Sequence, residues 1–185
     1  MTPLQKNILN AVKRRPMTLR ELQKMRFPQA TGNAAADEGY HQLYDYLKRA
    51  WDDSVTELAI DYVSTFIGHG VNGYSAAYPY ESVYTSPDGL MMQEAYAQVR
   101  TLYHAARFAK DPTFPEPEDH LAVELAFMAR LCEQAAGALR AGEGQAAEDL
   151  LGGQLAFLRD HLLRWIEPFA ADACASAETG FYAHL

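Results

Sequence analysis

Two short stretches of this chain combine groups that can bind with a backbone stiffened by proline. The first is Tyr78-Pro79-Tyr80-Glu81-Ser82-Val83-Tyr84, where aromatics crowd a proline and a carboxylate stands beside a hydroxyl. The second is Glu116-Pro117-Glu118-Asp119-His120, which runs straight into Leu121-Ala122-Val123-Glu124-Leu125-Ala126-Phe127-Met128. A carboxylate run beside a histidine can hold an arginine or a peptide backbone through charge-assisted hydrogen bonds. Exposed tyrosine is a favoured contact residue at interfaces. We read the two stretches as two walls of one site.

Each stretch also has a plain structural reading. Pro117 suits a first helical turn, where Glu118 and Asp119 would complement the helix dipole. The tyrosines could simply anchor a loop onto helices. Tyr78, Tyr80 and Tyr84 are two and four residues apart, so they cannot all share one face of a helix. Local physics leaves both alternatives open at both places.

Machinery for catalysis is missing from the pattern. No phosphate-binding loop, nucleophile elbow or dinucleotide fingerprint occurs. His120 and Glu124 lie four apart on one helix face, and His104 or His161 could join them around a metal. Two ligands do not make a site, so no metal, cofactor or catalytic residue is assigned. The reading is of a protein that is not an enzyme. Cys132 falls on an expected apolar stripe, and both it and Cys174 are expected to be buried thiols of a reducing compartment.

With 185 residues, 49% hydrophobic and 22% charged, the chain has material for one real core. No apolar run reaches the ~20 residues that a membrane helix needs, so no membrane insertion is expected. Lys13-Arg14-Arg15 looks like the start of a twin-arginine export signal, but charged residues follow where an apolar run is required. A cytoplasmic protein is expected. Residues 1–28 hold seven basic side chains against one acidic, a net +6; taking that from −8 leaves −14 for the remainder. An acidic body of that size repels nucleic acid and suits a basic peptide.

Helical periodicity runs through most of the chain. Leu4, Ile8 and Ala11/Val12 are in step up to Pro16, and Thr18 with Glu21 suggests a capping box. We read this basic pair as two helices packing on each other, with a DNA-binding regulator as the alternative function. A Thr31-Gly32-Asn33 turn precedes a helix with Tyr40, Leu43, Tyr44, Leu47 and Trp51 on its apolar side. The next helix carries Val55, Leu58, Ala59, Tyr62 and Phe66 and stops at Gly68-His69-Gly70. Further helices are expected from Asp88 or Gly89 to Lys110, and from Pro117 with Leu121, Leu125, Met128, Cys132, Ala135 and Leu139 inward. Ala141-Gly142-Glu143-Gly144 should close that one, before a helix with Leu151, Leu155, Leu158, Leu162, Trp165 and Phe169 in step. Residues 170–185 complete the pattern. The expectation is an all-α protein of about seven or eight helices, a single globular domain with a long proline-rich central loop. Residues 1–28 form a basic helical segment in this reading, and 29–185 the all-helical domain.

These stretches resemble the TorD/DmsD/NarJ family of redox-enzyme maturation chaperones. The resemblance rests on Leu58-Ala59-Ile60-Asp61-Tyr62 with Phe66-Ile67-Gly68, on Pro79 to Tyr84, on Glu116 to His120 and on Glu124 to Met128. The run from Phe157 to Trp165 and the pair Phe181-Tyr182 extend it to the C-terminal end. It implies an all-helical cytoplasmic chaperone, monomer or homodimer, that serves a molybdopterin oxidoreductase of the dimethyl-sulfoxide or trimethylamine-oxide reductase kind. Its partners would be the client's twin-arginine signal peptide and the apo-form of the client, held back until cofactor insertion. The family's binding positions fall here on Tyr80, Glu81, Ser82, Asp119 and His120.

Overall fold

The computed structural model describes residues 18–27, 30–67 and 77–184. The helix expected over the first sixteen residues, the stop at Gly68-His69-Gly70 and the expected segment boundary at 28/29 all fall on or beside positions outside the described residues. Among the described residues the secondary structure is α-helical, with two π-helical segments and no β-strand. The fold is all-α, as the periodicity predicts. Close contacts divide the chain into two units, residues 1–78 with 169–185, and residues 79–168.

The first unit contains α1 (Leu19–Leu22), α2 (Ala34–Lys48), α3 (Ser54–Tyr62) and the π-segment Val63–Ile67. Thr18 and Glu21 do form the capping box, and Asn33 caps α2 by accepting from the Ala35 and Ala36 N–H groups. Leu22, Leu43, Leu47, Leu58 and Phe181 make the core, with Tyr40, Tyr46 and Val55 packed against it. Tyr44 and Trp51, expected inward, are exposed; Trp51 lies beyond the C-cap of α2 at Arg49, so the helical phase no longer governs it.

Asp61 ties the C-terminal segment to α3. Its carboxylate accepts from the Glu178 N–H at 2.9 Å, the Thr179 N–H at 2.8 Å, and the Thr179 and Thr65 hydroxyls. Burial pushes its pKa up, but these four donors win and hold it below the usual carboxylate value. The last helical turn of the chain, Gly180–Ala183, starts immediately after this anchor and delivers Phe181 to the core.

The second unit comprises α4 (Glu81–Thr85), α5 (Glu94–Ala105), α6 (Leu121–Ala141), α7 (Gly144–Phe157) and the π-segment Leu158–Leu162. The chain then enters α8 (Leu163–Ser176), whose internal Pro168 lacks the N–H that an interior turn would use. Gly142, at φ 76°, ends α6 in the left-handed conformation that glycine adopts without penalty. The two-residue link to α7 makes α6 and α7 antiparallel neighbours. Val99, Tyr103, Val123, Phe127, Leu131, Phe157 and Leu162 form the core of the unit.

Three expectations are corrected here. The buried side of α6 carries Val123, Phe127, Leu131, Ala135 and Ala138, whereas Leu125 is 44% exposed and Leu139 more so. Leu151 and Leu155 on α7 also face outward. Both helices are apolar around much of their circumference, so periodicity alone offers two candidate faces. Cys132 and Cys174 are both exposed free thiols, not buried ones. Finally, α5 begins at Glu94 and α6 at Leu121, each later than the sequence suggests, because the chain before each is held in turns or extended conformation.

The Asp61 anchor yields a test. Asp61→Ala strands two backbone N–H donors and should lower the unfolding free energy by about 2–4 kcal/mol in chemical denaturation. Asp61→Asn, which keeps an acceptor oxygen, should recover part of that loss. An unchanged midpoint for the alanine variant would remove Asp61 from this role.

Candidate functional site

The two stretches singled out by chemistry meet in space, within the unit of residues 79–168. Tyr80 and His120 form an isolated antiparallel bridge. On one side of it the Leu121 N–H donates to the Pro79 carbonyl at 2.9 Å; on the other the Glu81 N–H donates to the Asp119 carbonyl at 3.0 Å. The geometry explains why α6 cannot start at Pro117. Residues 119–121 serve the bridge, and a helix there would withdraw their backbone groups.

Side chains lock the bridge on both faces. The Tyr80 hydroxyl donates to Glu116 Oε2 at 2.7 Å, and the Tyr80 ring meets His120 edge-on at 5.2 Å between centroids. Phe114 also meets His120 edge-on, at the same separation. His120 caps α6: its Nδ1 accepts from the Ala122 N–H at 3.0 Å. That role needs an unprotonated Nδ1. Burial pushes the His120 pKa down to about 4, with Lys110 adding to the effect and Glu116 opposing it, so the ring is neutral at pH 7. Lys110 itself donates to the Phe114 and Glu116 carbonyls and so curls residues 110–116 around the histidine.

Asp119 reaches across to the start of α4. Its Oδ2 accepts from the Ser82 N–H at 3.1 Å, supplying the cap that Tyr80 does not. The Ser82 hydroxyl also holds Asp119, and the same oxygen accepts from the Gln93 N–H at 3.0 Å. Burial raises the Asp119 pKa, and the nearby Glu81 raises it further, against these hydrogen bonds. Asp119 Oδ1 meets no donor.

Beneath Asp119 lies a group of acids with no access to water. Glu81, Asp119 and Glu124 are each 0% exposed. Both Glu81 oxygens approach His161 Nδ1, at 3.2 and 2.9 Å, and His161 stacks on Phe157. Trp165 Nε1 donates to Glu124 Oε2 at 3.2 Å, and the Tyr84 ring stacks on Trp165. Three ionised carboxylates in one dry pocket would repel strongly. Glu124 resolves the conflict by keeping its proton: burial first, then the Glu81 charge, lift its pKa to about 9. Its Oε1 accepts from no donor, as fits a carboxyl that keeps its proton and directs it toward Glu81.

All five predicted site residues therefore come together, and all five are buried. His120 and Glu124 take different partners: the first caps α6 and the second meets Trp165. Among the described residues no group of three or more His, Cys, Asp or Glu side chains is placed to hold a metal ion. Glu124, His161 and Trp165 are the members of the cluster that sequence reasoning did not assign. The four-residue spacing of His120 and Glu124 is a local signal for Glu124, while His161 and Trp165 stand out in the sequence only as members of the run from Phe157 to Trp165. The half-buried Glu116 and Glu118 form an acidic rim on the segment that leads into the bridge.

The proton on Glu124 has a measurable consequence. Between its ordinary value of 4.5 and about 9, the folded chain holds a proton that the unfolded chain has released. Its contribution therefore weakens stability as pH rises through that window, by up to about 1.4 kcal/mol per pH unit. Glu124→Gln, a neutral mimic, should flatten the fall in denaturation free energy between pH 6 and pH 9. His120 acts with the opposite sign, adding stability as pH rises from about 4 to 6.5. An identical pH profile for the glutamine variant would show that Glu124 is ionised in the folded protein.

Comparison with known proteins places the chain in a family. Residues 31–171 match the family described as nitrate reductase delta subunit. Curated relatives include the chaperone protein TorD of Photobacterium profundum, 37% identical over 145 residues, covering 78% of this chain and 64% of that protein. TorD of a Shewanella species is 33% identical over 139 residues, covering 72% and 58%, and that of Vibrio vulnificus is 30% identical over 155, covering 81% and 68%. The matched region thus spans about three fifths of the length of the first of these relatives. With both bridge-forming stretches inside the matched region, the chain belongs to the nitrate reductase delta-subunit family, the TorD/NarJ family.

Proposed function

We propose that this protein is a maturation chaperone that binds the twin-arginine signal peptide of a molybdopterin oxidoreductase and retains the apo-enzyme in the cytoplasm until its cofactor is inserted. The observation that carries the reading is the similarity to proteins named chaperone TorD, 37% identical over 145 residues in one of them, beside a family match over residues 31–171. The protein acts by binding and not by catalysis. The five residues Tyr80, Glu81, Ser82, Asp119 and His120 are the binding locus in this reading, and because they are buried they take a positioning part in it. They fix the acidic rim of Glu116 and Glu118, whose carboxylates pair with the arginines of the peptide. The net charge of −8 draws a basic peptide toward the protein. The DNA-binding alternative has no comparable support: the matches are to chaperones, and its basic residues lie mostly outside the described ones.

Calorimetric titration with the twin-arginine leader of a molybdopterin oxidoreductase tests the proposal. The leader should bind, and replacing both arginines by alanine should abolish most of the heat. Glu118→Gln should weaken binding about two- to five-fold, the range for one partly exposed ion pair, without changing the thermal midpoint, whereas Glu116→Gln would also disturb the Tyr80 contact. Binding that ignores the arginines, or no binding at all, would overturn the reading.

A further inference from the structure

Between α4 and α5 the chain exposes three large apolar side chains in a row: Leu90, Met91 and Met92, at 54%, 40% and 54%. Single exposed apolar residues are ordinary, but three consecutive ones at a loop tip place a continuous apolar patch in water. The loop is tightly held. The Leu90 N–H donates to Ser86 Oγ at 3.1 Å, and Gln93 Nε2 donates to the Met91 carbonyl at 2.9 Å. The Gln93 N–H donates to Ser82 Oγ, the hydroxyl that also secures Asp119. The tip is therefore fastened to the bridge by its own framework.

Its backbone is unusual as well. Gly89 and Met92 both have positive φ, 62° and 58°. Glycine accepts that conformation freely, whereas a side chain as bulky as methionine adopts it only under strain. Asn or Gly at position 92 would relieve the strain and remove the exposed thioether together. Asp88 and Glu94, both exposed, flank the apolar run on either side.

We infer that residues 90–92 are the docking tip for the apolar stretch of a leader peptide, with the basic residues beside that stretch drawn to Asp88 and Glu94. The inference rests on the signal-peptide reading above and names the surface that takes the apolar part. Methionine suits such a surface, because its flexible thioether adapts to apolar segments of differing sequence. A second copy of this chain fits less well. A symmetric contact through the tip would bring Asp88 and Glu94 of one copy against the same acids of the other.

The test uses the full chain, the leader peptide of a molybdopterin oxidoreductase, and a second peptide with its apolar run replaced by serine and its arginines kept. Met91→Ser with Met92→Asn should weaken leader binding about ten-fold or more, as expected from losing the burial of two methionines. The thermal midpoint should hold or rise, since Asn tolerates the left-handed backbone. The variant and the wild-type protein should bind the serine peptide equally. Asp88→Asn with Glu94→Gln should weaken both peptides and leave the apolar preference intact. If the wild-type protein binds the leader and the methionine variant binds it as tightly, the docking tip is wrong while the signal-peptide reading stands. If the wild-type protein does not bind the leader, the broader reading fails first. Concentration-dependent dimerisation in sedimentation, lost in the methionine variant, would assign the tip to a second copy and overturn the inference.

Discussion

The constraint on which the second unit depends is the closure of residues 79–82 onto residues 119–121. Two backbone hydrogen bonds around the Tyr80–His120 bridge set it. Asp119 caps α4 from 37 positions away in sequence, and His120 caps α6. Neither helix can shift along its axis without losing its own cap or straining the bridge. The bridge thus turns two short loops into a rigid frame, and it does so with polar groups in a place where water cannot replace them.

The frame is costly in electrostatic terms, and the side chains around it meet that cost. Glu81 has His161, Asp119 has both donors of Ser82, and Glu124 has the Trp165 indole together with its own proton. Removing one partner from such a set leaves a charge without compensation, which is why these residues act as one unit. The same arrangement separates two jobs. Buried acids give the frame its geometry, Glu118, Asp88 and Glu94 set the character of the surface, and the half-buried Glu116 belongs to both through its bond from Tyr80.

Helical content and the distinctness of the two proline-bearing stretches were legible in the sequence, because proline next to acids and aromatics departs from ordinary helix composition. Their burial was not. Glu81, Ser82 and Asp119 belong to residue types that are seldom fully buried, and the group that makes burial of Glu81 tolerable, His161, stands 80 positions away. The phase of α6 was also hidden. Leu121, Leu125 and Leu139 offer one apolar side and Val123, Phe127 and Leu131 another, and the choice between them is made by packing against Tyr103 and Phe157. The exposed run at residues 90–92 looked like the beginning of a helix, and only the positive φ at Gly89 and Met92 reveals a shaped loop.

The central claim is that a preformed buried frame presents a separate surface to the peptide. Amide hydrogen exchange, followed residue by residue with and without a twin-arginine leader peptide, tests it most directly. The account predicts that the Glu81, Ser82 and Leu121 amides are strongly protected in the free protein and unchanged on binding, while new protection appears at residues 88–94 and 116–118. Rapid exchange at Glu81, Ser82 and Leu121 in the free protein, slowed only when the peptide is added, would contradict it.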